Sequence, residues 1–337
     1  MKLKRFSGNP VLGPNPKNKW ENLATSNPGV IYDNGKFFML YRAAGDDAKH
    51  TIRFGLAESL DGFHFKRVSD KPVFVPSKDG PDSGCVEDPR IIKMENEFYI
   101  TYAYRPFPPG RYWTFAHDVV LKPDCGKNAP RAIKDNLGNS GLAVTSDFKA
   151  FRRLGRITSS NLDDRDVIIF PEKINGSYVM LHRPKEYTGK KYGVKYPSIW
   201  LKRSEDLLDW EGKPSELLLA GRENSWEEKI GAAAPPLKTD RGWLMLYHGV
   251  EHGGLGYYRT GALLLDLNDP LRILGKTEEC ILEPEEKWEL EGLYNGCVFP
   301  TGNVIRNGIL YVYYGAADKY IGVATAVVDD LLDHICK

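Results

Sequence analysis

Apolar and polar positions alternate along this chain in short runs, and each run stops at a turn signal. "NPGVIYDNGKFFMLYRAAG" (27–45) shows the layout: a proline, a short apolar strand, an Asn-Gly turn and a second strand rich in aromatics. The layout returns in "EDPRIIKMENEFYITYAYR" (87–105), "DVIIFPEKINGSYVMLHRP" (166–184), "AAPPLKTDRGWLMLYHGV" (233–250) and "CVFPTGNVIRNGILYVYYGAAD" (297–318). Period-two patterning with β-branched and aromatic residues predicts strands, and Asn34-Gly35, Asn175-Gly176 and Asn307-Gly308 predict two-residue hairpin turns. A further apolar run near an acidic turn follows each pair: "FGLAESLDGFHF", "GLAVTSDFKAF", "SIWLKRSEDLLDW", "TGALLLDLNDPLRI" and "IGVATAVVDDLL".

Five such units recur at about 65 residues, the signature of a repeat architecture. Four strands per unit arranged radially predict an all-β fold, a five-bladed β-propeller whose first strands line a central channel. Helical periodicity is nearly absent, which excludes an α/β fold; only "VVDDLLDHICK" at the end predicts a short helix. Pro28, Pro89, Pro171, Pro235 and Pro300 align the units, and make Asn27, Asp166, Ala234 and Val298 the expected counterparts of Asp88. One domain is expected over residues 1–337, interrupted in the second unit by a connection at about 106–139, roughly twice as long as the others. It carries Trp113, Phe115, Asp118 and Asp124, and is expected to cover one side of the channel pocket.

Bulk properties narrow the partners. A formal charge of +1 gives no global attraction to nucleic acid or acidic membranes, and neither partner is expected. The five cysteines include no C-x-x-C pair, so no disulfide framework or zinc site is predicted. The seven histidines lack ligand spacing, and no Gly-rich nucleotide loop precedes a helix; neither metal nor organic cofactor is expected. No apolar run is long enough for a signal peptide or a membrane span, and a reducing cytoplasm is the expected location.

Equivalent positions of a propeller converge on its axis, so candidate chemistry is sought at the strand ends. Arg42, Arg183 and His248 close the second strands of three units, where apolar residues are usual. Arg165, Arg183, Lys229 and His248 come from units three and four and face Asp88 and Arg42 from units one and two. Such a set forms an anion subsite beside an acid, or a series of ion pairs inside the channel. Two carboxylates also suit a glycosidase. Asp88 is the natural acid; Asp318, Glu228 or Glu172 is the second, although Glu227-Glu228 reads more simply as a solvated charged turn. Tyr102, Tyr104, Trp113, Tyr257, Tyr258 and Tyr313 near strand ends suit sugar stacking or blade packing equally.

Together "SGNPVL", "SNPGVIY", "EDPRI", "DVIIFPEKINGSYVMLHRP", "KIGAAAPPLKTDRGWLMLYHG" and "NGCVFPTG…YYGAAD" make the whole chain resemble glycoside hydrolase family 130. That family holds inverting β-mannoside phosphorylases and related hydrolases on five-bladed propellers. The resemblance implies that Asp88 is the catalytic acid, acting through the mannose 3-hydroxyl. It implies phosphate contacts from Arg165, Arg183, Lys229, His248 and Tyr258, and mannose contacts from Asn27, Arg42 and Asp318. An Asn often follows the first phosphate arginine, whereas this chain has Asp166, which weakens the anion subsite unless it pairs with Arg165 or Arg183. Members that hydrolyse have lost several phosphate cations, and these are retained here. The expected activity is therefore phosphorolysis of a β-mannoside, of mannooligosaccharide or mannosyl-glucose type, with inorganic phosphate as co-substrate and α-mannose 1-phosphate as product. The alternative is an inverting β-mannosidase on the same fold. A homo-oligomer is compatible with the sequence.

Overall fold

A computed structural model describes residues 1–111, 125–251 and 256–337. Trp113, Phe115, Asp118 and Asp124 of the long connection lie outside the described residues, as does His252. The strands form five antiparallel sheets, each meandering outward from the axis. Blade one comprises Ala24–Asp33, Lys36–Ala44, Arg53–Ser59 and Lys66–Arg67. Blade two comprises Cys85–Met94, Glu97–Arg105, Asn139–Thr145 and Arg152–Arg156. Blade three comprises Asp164–Ile169, Tyr178–Pro184, Ile199–Ser204 and Glu216–Leu219. In blade four the inner strand is split into Lys229–Ala232 and Leu237–Lys238, followed by Trp243–Val250, Tyr258–Leu265 and Ile273–Lys276. Blade five has Val298–Arg306, Ile309–Ala316 and Tyr320–Val327, and its outer strand is Lys4–Arg5 from the start of the chain. The five-bladed propeller expected from the repeats is what the chain forms. The final helix, Val328–Ile335, buries Leu331, Leu332 and Ile335 against blades four and five.

The predicted hairpins have their local cause in view. Asn34, Asn175 and Asn307 have φ of 47°, 50° and 52°, and the glycines that follow also have positive φ. Such turns match the twist of the strands they join. The core lies between neighbouring blades: Leu181 and Ile199 of blade three pack with Tyr247 and Leu263 of blade four, all fully buried. Burial of side chains of this size contributes about 1.5–3 kcal/mol each.

Inner strands of blades one, two and three share a bulge. Asn27-Pro28 together oppose Tyr41, Asp88-Pro89 oppose Tyr102, and Asp166-Val167 oppose His182. Asn27, Asp88 and Asp166 have φ of 42°, 54° and 60°. Asn and Asp tolerate this left-handed conformation better than other non-glycine residues, and a bulge re-aims the side chain that it displaces. Register also corrects the proline alignment. Val167, not Pro171, occupies the position of Pro28 and Pro89, and Ala232 and Pro300, rather than Ala234 and Val298, stand opposite the tyrosines Tyr247 and Tyr314.

A second repeat runs through four blades. Tyr41, Tyr102, Tyr247 and Tyr314 of the second or middle strands each donate their hydroxyl to a buried acid: Glu21 at 2.9 Å, Asp82 at 3.2 Å, Glu227 at 2.5 Å and Glu289 at 2.8 Å. A cation of the outermost strand meets the same acid: Arg67 at 2.9 Å, Arg153 at 2.7 Å, Lys276 at 2.6 Å and Arg5 at 2.9 Å. Beneath each ring lies a glycine paired across the strands, Gly55, Gly141, Gly261 or Gly322. A Cβ at Gly55 would fall 2.1 Å from the Tyr41 ring, so no larger residue fits there. Blade three departs from the pattern: His182 replaces the tyrosine and Trp200 the glycine. His182 bonds Asp164 at 2.8 Å and Ser215 at 3.1 Å instead. Glu227 is therefore a buried strut and Glu228 is 6% exposed, which overturns the solvated turn expected of that pair.

Candidate active site

The bulged strands open onto a cavity of about 240 Å³ at the axis. Asn27, Arg42, Asp88, Arg165, Arg183, Lys229, Tyr258 and Asp318 all contribute to its wall, so eight of the nine expected site residues converge there. His248 stands behind the wall, its ring 4.3 Å from that of Phe299 and Nε2 3.3 Å from Asp166 Oδ2. The site therefore has two sides. Asp88, Asn27, Arg42 and Asp318 come from blades one, two and five; the other cations come from blades three and four.

On the acid side, Asn27 Nδ2 donates to Asp88 Oδ1 at 2.8 Å and Arg42 Nη1 to the same oxygen at 3.1 Å. Arg42 also lies 3.7 Å from Glu87 and 3.9 Å from Asp318. Gly315 leaves room for this arrangement, since a Cβ there would fall 1.9 Å from Asn27 Oδ1. Adjacent Glu87 and Asp88 are driven apart in acidity. Burial raises the pKa of Asp88 against the pull of Arg42, and Glu87 adds to the rise. Glu87 also resists burial, but Arg42 and Arg105 outweigh it and hold its pKa below the usual range. Neighbouring carboxylates whose pKa values move in opposite directions are suited to different roles, the raised one as an acid and the lowered one as a fixed anion.

Arg90, from the same "EDPR" stretch, is the residue that ties the sides together. Buried to 2% exposure, it donates to the Asp88 carbonyl at 3.0 Å, to the Ala233 carbonyl at 2.7 Å and to Asp166 Oδ1 at 3.3 Å. Its guanidinium thereby spans blades two, three and four.

On the cationic side, Arg165 pairs with Asp163 at 2.9 and 3.4 Å. Arg183 donates through Nε to Asp166 Oδ2 at 3.0 Å and through Nη2 to the same oxygen. Asp166 thus turns toward Arg183, one of the two pairings that the sequence left open for it. Gly231 admits the cluster, because a Cβ there would lie 2.6 Å from both Asp166 Oδ2 and His248 Nε2. Arg183 Nη1 is buried without a hydrogen-bond partner. A charged donor left in this state costs free energy that an acceptor would recover. Lys229 Nζ donates to Tyr258 Oη at 3.1 Å. Burial, then the nearby Arg183, lower its pKa to about 7. Burial likewise pushes His248 down to about 4, so it is neutral.

Sequence reasoning missed Glu87, Arg105, Pro109, Asn136, Tyr294, Cys297 and Phe299 in the wall. Pro109 and Asn136 belong to the described ends of the long connection, which Asn136 clamps through two bonds to the Phe107 backbone, at 3.0 and 3.1 Å. Of the expected stacking aromatics, Tyr258 reaches the cavity, whereas Tyr102 is a strut and Tyr313 bonds the Gly62 carbonyl within the core. Among the described residues, no cluster of His, Cys, Asp and Glu is arranged to hold a metal, and no helix is long and apolar enough to cross a membrane.

A family model described as beta-1,4-mannooligosaccharide phosphorylase matches residues 5–113 and 132–337. The chain is 38% identical to a 1,2-beta-oligomannan phosphorylase from Thermoanaerobacter sp. (strain X514), over 98% of this chain and 99% of that one. Identity to a beta-1,2-mannobiose phosphorylase of the same organism is 36%, over 96% of each chain. The solved structure of the beta-1,2-mannobiose phosphorylase from Listeria innocua, in complex with beta-1,2-mannobiose, superposes with a TM-score of 0.77 at 26% identity, covering 99% of both chains. By the family model, the curated relatives and the five-bladed architecture alike, this chain belongs to glycoside hydrolase family 130, the family of the mannoside phosphorylases.

Proposed function

We infer that the chain is an inverting phosphorylase that cleaves β-mannosides with inorganic phosphate and releases α-mannose 1-phosphate. The observation that carries this reading is the convergence of Arg165, Arg183 and Lys229 on one cavity with Asp88. Five cationic and four acidic side chains of the described residues line that cavity, and protonation of Asp88 leaves a cationic excess for phosphate. Two β-1,2-acting relatives, at 38% and 36% identity, support a β-1,2 linkage, while a third such relative at 29% stands level with a β-1,4-mannooligosaccharide phosphorylase at 28%. A β-1,2-linked mannoside is thus the substrate to test first.

Chemistry follows from the two sides. Asn27 and Arg42 occupy Oδ1 of Asp88, so the transferable proton resides on Oδ2. As the bond from mannose C1 to the leaving oxygen breaks, that proton passes to the oxygen, directly or through a substrate hydroxyl, and the acceptor sugar departs neutral. Arg165, Arg183, Lys229 and Tyr258 hold hydrogen phosphate against the opposite face of C1, where a phosphate oxygen forms the new bond with inversion from β to α. The proton brought by hydrogen phosphate balances the one that Asp88 gave. Arg42 and Asp318 bind mannose hydroxyls on the acid side.

A hydrolytic route needs a carboxylate base on the phosphate face. Glu172 is on the surface with Lys238, Glu227 is a strut, and Asp318 lies beside Arg42 on the acid side. Asp166 is on the required face, but Arg183 and His248 outweigh burial and hold its pKa well below the ordinary range, so it is a poor proton acceptor from water.

Turnover of β-1,2- and β-1,4-mannobiose, with and without phosphate, tests the reading. Mannose 1-phosphate, identified by ³¹P NMR, should form only when phosphate is present. Equal release of free mannose in phosphate-free buffer would replace the phosphorylase with the hydrolase. Lys229 adds a pH signature. Above about pH 7 the empty site holds it as the neutral amine, and an arriving anion restores the ammonium. Phosphate binding on the alkaline side is therefore expected to take up about one proton and to weaken as pH rises. Calorimetry in buffers of different ionisation enthalpy measures the uptake; the Lys229→Met variant should lose it.

A further inference from the structure

A carboxylate in the wall of an anion pocket needs a reason beyond pairing with its neighbours. Asp166 is 4% exposed and contributes to the cavity surface beside Arg165, Arg183 and Lys229. Burial opposes its charge, but Arg183 and His248 outweigh burial and hold its pKa well below the ordinary range. Its two oxygens are used unequally. Oδ2 takes Arg183 through both Nε and Nη2 and faces His248 Nε2 at 3.3 Å. Oδ1 meets Arg90 Nη2 alone, at a long 3.3 Å. A carboxylate oxygen has two acceptor sites, so Oδ1 keeps one of them, on a residue that lines the cavity.

Toward a bare tetrahedral dianion that oxygen is repulsive. Toward an oxyanion that carries a hydroxyl it is a hydrogen-bond acceptor, and a charged one. Arginine and lysine donors by themselves separate tetrahedral dianions only by size and charge. We propose that Asp166 Oδ1 accepts the P–OH of hydrogen phosphate and makes the subsite selective for protonated oxyanions over aprotic dianions of the same shape. This rests on the phosphate reading of the site and names the form of phosphate that the site takes. It also assigns a use to the carboxylate that departs from the family pattern: an acceptor stands where an Asn would present a donor.

Hydrogen phosphate, sulfate and monofluorophosphate provide the test, since all three are dianions at mildly alkaline pH and only the first carries a proton. Their binding to the wild-type protein and to Asp166→Asn is measured by calorimetry in the absence of sugar, so that the result does not depend on turnover. The wild type is expected to bind hydrogen phosphate at least about tenfold more tightly than either aprotic anion, the scale of one hydrogen bond to a charged group. Asp166→Asn keeps the shape and should close most of that gap, chiefly by tighter binding of sulfate and fluorophosphate. Equal affinities in the wild type, no binding of any of the three, or an undiminished gap in the variant each overturn the proposal. Wild-type selectivity without phosphate-dependent turnover would leave it standing and remove the phosphorylase reading instead. If Asp166→Asn fails to fold, the wild-type series decides: a gap supports the assignment and its absence overturns it.

Discussion

Asp88→Asn should lower kcat by about 10²–10⁴ on an unactivated mannoside while the fold remains intact, the usual scale of general acid catalysis. The variant suits the question because an amide keeps the shape and can still present an oxygen to Asn27 and Arg42, the two donors at Oδ1. Asparagine also tolerates the left-handed backbone of that position, where φ is 54°. What it loses is the proton on the other oxygen. The deficit should appear in kcat more than in KM, and should shrink for an aryl mannoside whose leaving group needs little protonation. A variant that keeps most of its activity on mannobiose would remove Asp88 from the role of acid.

The second large effect is expected at Arg90, through stability as well as rate. Arg90→Leu leaves the Asp88 and Ala233 carbonyls without their donor and removes one of the cations that balance Asp166. Breaking a buried pair from one side typically costs about 3–5 kcal/mol. Urea denaturation should show a loss of that order. In whatever fraction remains folded, kcat and the KM for phosphate should both worsen, because the same side chain props the bulge of Asp88 and the carboxylate beneath Arg183. Arg90→Lys keeps the charge but not the three-way fork, and should recover only part of the stability. Unchanged unfolding in Arg90→Leu would show that the network carries no net stability.

How much of this was legible beforehand follows from the range of the interactions. Asn-Gly hairpins are local, and Asn34, Asn175 and Asn307 announced themselves. Asp166 was placed correctly as the counterpart of Asp88, but Pro171 imitated the spacing of Pro28 and Pro89, and the counterparts in blades four and five were misplaced, because register is defined by the partner strand. Asp88, Arg42, Arg183 and Lys229 were found because strand ends of a propeller converge. Glu227 was misread because its partners Tyr247 and Lys276 lie 20 and 49 residues away. Arg90 stood in plain view beside Asp88, yet its reach to Ala233 crosses 143 residues of sequence. Its signal was the short stretch that joins two acids, a proline and an arginine at the start of a strand.

Blade three, which supplies Arg165, Arg183 and Asp166, is also the blade where His182 and Trp200 replace the tyrosine and glycine found at the paired positions elsewhere. Volume there has been exchanged between two adjacent strands. A tyrosine introduced opposite Trp200 would be overpacked, and a glycine opposite His182 would leave a hole, each at a cost of about 1–5 kcal/mol. No single substitution leads from one arrangement to the other without crossing that cost, so the two positions are bound to change together. The blade that carries Arg165 and Arg183 is for this reason set apart in packing from its four siblings, and reverting either position alone should destabilise the fold more than reverting both.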